Sequence, residues 1–354
     1  MKKVCFILKS FSFYPTGGTK MIFEYANRLV NDGYKVQILY LNDEALLKYH
    51  IPEKLREKIV SLLNLFSPNW FKLDRKIDRL SFYDHDLKKK IEDTDIMIVT
   101  SLPTVNISIQ VFNDKKFIYY IQGFENWTVS DEVCYETYNL GLSNVVVAEW
   151  LKNIVEFHSS GRCTLIKNPI DITIYKMNIP LNGRKKHSIG VLYHEMSNKG
   201  FKYAWEAIGK LKNIYNDLEV YMFGVPRRPK NFPQWVHYKQ KASKYEVVEI
   251  YNKIQVFLCA SIEEGFGLTG LEAMACGAAL VSTEYLGVKE YAENNKNALL
   301  SEIKNSDALV NNVVRLFENN ELRYHIAMNG IESVKKFSWD VALKKFEKLI
   351  NECE

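Results

Sequence analysis

The feature that most constrains the fold is an alternation. Short, continuously apolar, β-branched runs recur at 3–8, 35–41, 95–100, 117–122, 144–148 and 164–166, and stretches of helical period lie between them. A strand that is apolar on both faces belongs in a parallel sheet covered by helices on both sides. Between the first two runs, 19–31 has helical period and stops at Asp32-Gly33, so the chain opens with a β-α-β unit. The rhythm pauses in a polar stretch, 177–187, which holds Pro180, Asn182-Gly183 and a basic cluster. It then restarts, with strands expected at 188–193, 219–224, 254–260 and 279–283 and helices at 202–213, 243–252 and 270–276. The final stretch, 306–353, is helical and ends in a helix over 341–350. Two successive β-α-β blocks predict an α/β protein of two doubly wound, Rossmann-like domains facing an interdomain cleft.

Length agrees, because 354 residues make two domains at roughly 100–200 residues each. Hydrophobic residues at 47% and charged residues at 25% exclude a disordered or collagen-like chain. No apolar run approaches the roughly 18 residues that a membrane span needs. The apolar core of the opening Met1-Lys2-Lys3-Val4-Cys5-Phe6-Ile7-Leu8 is too short for a signal peptide, so a cytoplasmic location is expected. The sequons at Asn106 and Asn126 are then chance matches. Six cysteines, at 5, 134, 163, 259, 276 and 353, form no C-x-x-C pair, which argues against a zinc site or a disulfide framework. The net charge of +5 suits an anionic ligand or an anionic membrane surface and is too weak to point to nucleic acid.

One segment breaks the rhythm. Over 52–66, Leu55, Ile59, Leu62, Leu63 and Phe66 share one helical face, with Lys54, Glu57 and Lys58 elsewhere. Pro68, Trp70, Phe71 and the basic run 72–76 follow. Two readings stand open: a helix docked on its own domain, or an acceptor-side lip or membrane-surface contact formed by 52–79. The lysines at 88–90 read as a solvated helix face.

Two motifs carry chemistry. Tyr14-Pro15-Thr16-Gly17-Gly18-Thr19 lies between the first strand and the first helix, where glycines allow close backbone approach and a helix N-terminus offers free N–H groups to an anion. It is not G-x-G-x-x-G, which disfavours a dinucleotide site. The more specific motif is the run from Ser261 to Gly277, which follows an apolar strand and opens a helix. It contains Glu264 in the loop and Glu272, with seven residues between them, in the first turns of the helix. Amides from Gly267 through Leu268 to Thr269 would face a phosphate, and the two carboxylates would accept hydrogen bonds from sugar and ribose hydroxyls.

This run resembles the E-x(7)-E signature of retaining glycosyltransferase family 4, which has the GT-B fold. The resemblance extends along almost the whole chain. Gly17-Gly18 with the helix from Phe23 to Leu29, Ala148-Glu149-Trp150-Leu151-Lys152, Asn168-Pro169-Ile170-Asp171, Lys199-Gly200, Gly287 with Glu290, and Phe337-Ser338-Trp339 each resemble a segment of that family. The resemblance implies an N-terminal acceptor-side domain over 1–170, a nucleotide-sugar domain over 171–335, and a terminal helix at 336–354 that crosses back to the first domain. The polar stretch 177–187 is then the lead-in to the second sheet.

The resemblance also implies roles. Glu272 would bind the nucleotide ribose, and Glu264 would meet the donor sugar. Lys199 would neutralise the diphosphate, together with the amides of Gly17, Gly18 and Gly267–Thr269. Phe266 and Leu268 fall on the donor side with them. Front-face substitution, with the leaving phosphate taking the acceptor proton, needs no dedicated nucleophile and no metal. The implied activity is transfer of a hexose-type sugar from a nucleotide diphosphate, UDP by default with dTDP and GDP open. The acceptor would be a glycan or lipid-linked glycan, in bacterial surface-polysaccharide synthesis, with the protein peripheral on the inner face of the membrane. No cofactor is implied beyond the nucleotide sugar.

Two departures from the family pattern stand out. His194 occupies a position commonly held by arginine, and a neutral imidazole is a weaker diphosphate partner than a guanidinium. Arg227 or Arg228 would compensate, unless they only face solvent. Gln122 stands where a histidine is frequent, at the end of the fourth long apolar run. It hydrogen-bonds sugar but carries no proton at neutral pH, which leaves room for Glu125 as an acceptor-side residue. These departures keep open a non-catalytic GT-B scaffold or glycan-binding partner subunit, and a GT-B-shaped epimerase has no motif of its own here. The D-x-D triplets Asp84-His85-Asp86 and Asp93-Thr94-Asp95 are read as chance matches and not as metal sites.

Overall fold

The computed structural model describes residues 2–42, 44–127, 129–161 and 163–353. The chain divides into two compact units, Met1–Lys167 with Asp340–Glu354, and Asn168–Trp339. Each is a parallel sheet wrapped by helices.

The first unit runs β1 (Lys3–Leu8), α1 (Gly17–Asn31), β2 (Lys35–Tyr40), α2 (Glu53–Phe66), β3 (Asp78–Ser81), α3 (Leu87–Ile91), β4 (Ile96–Val99), α4 (Leu102–Val111), β5 (Lys116–Ile121), α5 (Asp131–Thr137), β6 (Ser143–Val146), α6 (Glu149–His158) and β7 (Cys163–Leu165). Its sheet has the order β3-β2-β1-β4-β5-β6-β7, with every pair parallel. The continuous apolar runs become the inner strands because both faces are covered, and Val4, Phe6, Ile98 and Ile118 have no exposed surface. Strand β3, which the apolar pattern does not reveal, is a short edge strand beginning Asp78-Arg79.

Helix α2 docks on its own domain through the face opposite the apolar stripe. Val60, Asn64 and Arg56 are buried, while Leu55, Leu62, Leu65 and Phe66 are exposed. Two of the inner polar groups are met: Asn42 Nδ2 donates to Asn64 Oδ1 at 3.1 Å, and the Arg56 guanidinium lies 5.8 Å from the centre of the Tyr83 ring. Those contacts make burial of a polar face tolerable.

The second unit runs β8 (Ser188–Tyr193), α7 (Phe201–Ile214), β9 (Glu219–Gly224), β10 (Val236–Gln240), α8 (Lys244–Lys253), β11 (Val256–Cys259), α9 (Leu268–Ala275), β12 (Ala279–Thr283), β13 (Ala298–Ser301), α10 (Ser306–Glu318) and α11 (Asn320–Val334). Its sheet is parallel throughout, with the order β10-β9-β8-β11-β12-β13. Ile189, Val191, Val220, Leu258 and Val281 from four neighbouring strands form its core with Ile208 and Leu211 of α7 and Leu309 and Val313 of α10. The polar lead-in is pinned rather than loose. Arg184 is buried, and its guanidinium donates to the carbonyls of Tyr251, Ile254 and Cys276, at the C-terminal ends of α8 and α9.

The last helix, α12 (Trp339–Glu352), belongs from Asp340 onward to the first unit. Its Phe346 lies with ring centres 4.6 Å from Tyr25, 5.9 Å from Tyr120 and 6.3 Å from Phe6.

Candidate active site

In an open parallel sheet, ligands bind beyond the carboxyl ends of the strands, where the strand order reverses. In the second unit that point lies between β8 and β11. The loops after these strands carry Lys199 and Glu264. They are held together by main-chain bonds, because the Asn198 carbonyl accepts from the amides of Ile262 at 2.8 Å and Glu263 at 3.2 Å. Gly200 makes this approach feasible. Its φ is +61°, and a Cβ there would sit 1.8 Å from the Ala260 carbonyl oxygen.

Glu264 is gripped from two sides. Ser261 Oγ donates to its Oε1 at 2.5 Å, and Lys199 Nζ lies 3.3 Å from its Oε2. The glutamate side chain is 11% exposed and the lysine 25%. Glu264 takes one of the three ammonium donors, so Lys199 is oriented and still offers positive charge. Lys199, Ser261, Glu264 and Thr269 border a common cavity of about 10 Å³. His194 stands beside them. The Met196 amide donates to its Nδ1 at 3.1 Å, which leaves the proton on Nε2. Burial, and then the Lys199 charge, hold its pKa below the usual histidine value. It is therefore a neutral N–H donor at pH 7.

Helix α9 begins at Leu268, immediately after Gly267, whose φ is +90°. Tyr285 occupies the space a side chain would need, its Oη 2.0 Å from the position of a Cβ. Tyr291 Oη donates to the Gly267 carbonyl at 2.7 Å. The turn is thus locked, and the amides of Leu268 and Thr269 lack intrahelical partners at its N-terminus. Glu272, on the second turn, is buried, and Tyr251 Oη donates to its Oε2 at 3.3 Å. The Phe266 side chain faces inward. It is 3% exposed, against the rings of Tyr291 and Phe337, so it anchors the loop and leaves only its backbone to a ligand.

In the first unit the order reverses between β1 and β4. Gly17 and Gly18 open α1, capped by Thr16, whose Oγ1 accepts from the Thr19 amide at 3.3 Å. The Gln122 side-chain amide lies over Gly18, its Nε2 3.2 Å from where a Cβ would be. Glu125 reaches the start of α4, where the Leu102 amide donates to its Oε2 at 2.7 Å. Burial pushes its carboxyl up to about 7, against the lowering effects of that amide and of Lys9. The structure therefore gathers Gly17, Gly18 and Gln122 in one unit and Lys199, His194, Glu264, Thr269 and Glu272 in the other.

Residues 178–333 match the sequence profile of glycosyl transferases group 1. That stretch is similar to a glycosyltransferase group 1 domain. The chain is 25% identical over 215 residues to the uncharacterized glycosyltransferase MJ1178 of Methanocaldococcus jannaschii, a match covering 59% of each. It is 29% identical over 114 residues to the N,N'-diacetylbacillosaminyl-diphospho-undecaprenol alpha-1,3-N-acetylgalactosaminyltransferase of Campylobacter jejuni, covering 32% of this chain and 30% of that enzyme. These matches span less than two thirds of either relative. Among solved structures, Anabaena HepE in complex with UDP-glucose superimposes with a TM-score of 0.75 at 14% identity, over 99% of this chain and 100% of that one. The fold is that of the GT-B proteins, two Rossmann-like α/β domains.

Within 178–333, several residues that hold the site escaped the motif. Tyr251, Tyr285 and Tyr291 look like ordinary core aromatics in the sequence, and only the packing shows where their hydroxyls point. Asn198 acts through its carbonyl, which no side-chain pattern reports. Arg228 donates to the carbonyls of Phe232, Pro233 and Val236 and braces the loop before β10. In the first unit, the aspartates of the two D-x-D triplets serve lysines. Lys90 Nζ lies 3.0 Å from Asp84 and 2.9 Å from Asp86, Lys3 pairs with Asp93, and the Lys3 amide donates to Asp95 at 2.6 Å. Among the described residues no cluster of three or more His, Cys, Asp or Glu is placed to hold a metal ion.

Proposed function

We propose that this chain is a retaining glycosyltransferase that moves a hexose-type sugar from a nucleotide diphosphate donor, UDP favoured, to a glycan or lipid-linked glycan acceptor. The observation that carries this reading is the Lys199–Glu264–Ser261 cluster set beside the N-terminus of α9, with the buried Glu272 one turn further along. A diphosphate needs fixed positive charge and N–H donors. Lys199, the neutral His194 Nε2–H and the Leu268 and Thr269 amides supply both, so the leaving group is stabilised without a metal ion. Glu272 is suited to ribose hydroxyls and Glu264 to the sugar. Gln122 and Glu125 serve acceptor and sugar hydroxyls, and the open N-terminus of α1 at Gly17–Gly18 adds donors for an anion.

In the reaction the bond from the anomeric carbon to the diphosphate oxygen breaks, the acceptor oxygen bonds to that carbon on the same face, and the acceptor proton passes to the departing phosphate. The residues orient and neutralise; none needs to form a covalent bond. HepE supports UDP as the donor nucleotide, since it is solved with UDP-glucose. The Campylobacter enzyme, named for a diphospho-undecaprenol compound, supports a lipid-linked acceptor; a role in bacterial surface-polysaccharide synthesis at the cytoplasmic side of the membrane is part of the same proposal.

The test is nucleotide release from a panel of UDP-, dTDP- and GDP-sugars with mixed acceptors, with product stereochemistry read by NMR. Turnover of one donor with retention at the anomeric carbon is expected, and Lys199→Ala and Glu272→Ala should abolish it. Near-normal turnover in both variants overturns the site. Tight calorimetric binding of a nucleotide diphosphate without turnover would assign the chain to a non-catalytic partner.

A further inference from the structure

Helix α2 faces outward with the side that should face inward. Leu55, Leu62, Leu65 and Phe66 are 51%, 56%, 58% and 64% exposed, and Leu47 and Tyr49, just upstream, are 53% and 59% exposed. Contiguous large apolar side chains in water mark a surface that something covers. At about 100° per residue, Leu55, Ile59, Leu62 and Phe66 fall within roughly 60° of arc. Lys54 and Lys58, both exposed, lie along one flank of that stripe with Leu65. Glu53 and Glu57 lie on the far side, toward the face that carries the buried Val60 and Asn64. Lys72, Arg75 and Lys76, all exposed, follow in the same segment.

We propose that α2 is an interfacial helix that seats this chain on an anionic lipid bilayer. The occupant follows from charge complementarity. A stripe of leucine and phenylalanine suits the boundary between headgroups and acyl chains. The adjoining lysines have apolar stems that lie along that boundary while their ammonium groups reach lipid phosphates. The acidic residues are turned away, so anionic headgroups meet no like charge at the stripe. No helix among the described residues is long and apolar enough to cross a membrane; attachment through α2 needs none.

The test is co-sedimentation of the full chain with vesicles of phosphatidylcholine alone and of phosphatidylcholine containing one quarter phosphatidylglycerol. Neither donor nor acceptor is present, so the outcome is independent of the transferase reading. Sedimentation with the anionic vesicles is expected, about tenfold stronger than with neutral ones and weakened by salt. The double variant Leu62→Asp/Phe66→Asp should lose binding to both by about tenfold or more. Lys54→Glu/Lys58→Glu should lose it severalfold on the anionic vesicles alone. Because all four side chains are exposed, the thermal melt of each variant should match that of the parent. Absence of binding to the anionic vesicles, or equal binding by folded variants, overturns the proposal. So does a dimer in light scattering that Leu62→Asp/Phe66→Asp dissolves, which would assign the stripe to a second copy of the chain.

Discussion

The same architecture ends differently in the two domains. Both are parallel sheets with a reversal of strand order, and both present loops at the carboxyl ends of the strands beside that reversal. The second domain places formal charges there, Lys199 against Glu264 with Ser261 on the glutamate, and beside them Tyr251 holds Glu272 and Tyr291 holds the Gly267 carbonyl. The first places an amide, Gln122, over Gly18 and a carboxyl, Glu125, that burial has pushed up to about 7. Fixed charge with wired orientation suits a ligand that is itself charged at every step, such as a diphosphate. An amide and a half-protonated carboxyl suit neutral hydroxyls, which want donors and acceptors but no strong field. Fold alone sets where each site lies; the side chains set what each can hold.

The largest effect should separate the two sites directly. Lys199→Met removes the ammonium while keeping most of the stem, and should lower kcat/KM for the donor by about 10²–10³, or roughly 3–4 kcal/mol of transition-state stabilisation. Gln122→Ala should cost about tenfold, the value of one hydrogen bond. Steady-state nucleotide release measures both. Equal losses would break the contrast, because they would make the amide as important to the leaving group as the charge.

The domain of the charged site also carries a brace. Arg184 ties the C-terminal ends of α8 and α9 together through three carbonyls. Arg184→Met leaves those acceptors buried and unpaired, at a cost of about 3 kcal/mol, or a fall of roughly 6–12 °C in Tm. Calorimetry should show this loss, and saturating donor should recover part of it by binding the folded state alone.

A smaller effect tests the first domain, where the sign is set by titration. The Glu125 carboxyl rises from 4.5 in the unfolded chain to about 7 in the fold. The folded protein therefore keeps a proton that the unfolded chain releases between those values. Stability from this group is complete below pH 4.5 and drains away as pH rises through 7. Glu125→Gln removes the titration and keeps an acceptor for the Leu102 amide. The variant should gain on the order of 2 kcal/mol over the parent at pH 8 and nothing at pH 4, read from denaturant melts at the two pH values. A gain independent of pH would mean that Glu125 is ionised in the fold and its environment is not the apolar one described.

Much of this was legible in the chain. Among the described residues the apolar runs account for ten of thirteen strands, nine of them inner strands buried on both faces and the tenth the short edge strand β7. The three that escaped are short edge strands: Asp78–Ser81 and Val236–Gln240 are largely polar, and Ala298–Ser301 is four residues of Ala, Leu and Ser. The Glu264–Glu272 spacing pointed to the site because loop and helix follow each other without a break. Helix α2 stayed open in the sequence because periodicity shows that a helix has two faces and not which one is inside; Asn42 and Tyr83 decide that from far along the sequence. The supports of the site were hidden for a similar reason. Tyr251 and Glu272 are 21 residues apart and meet only when α8 packs beside α9.

That last contact gives the smallest effect and the sharpest one. Tyr251→Phe removes a single hydroxyl and keeps the ring against Phe223 and Phe257, both edge-on to it at 5.7 and 5.3 Å. Packing should survive, and the melt should move little. Glu272 would lose the donor on Oε2 and some of its fixed orientation, a change of about 1 kcal/mol. If Glu272 holds the nucleotide ribose, that loss falls on a part of the donor that does not change during the reaction. It is then felt equally in the ground and transition states. KM for the donor should rise about fivefold with kcat unchanged. A fall in kcat at constant KM would place Glu272 at the reacting centre instead, and would move the charged site of the second domain one helical turn along α9.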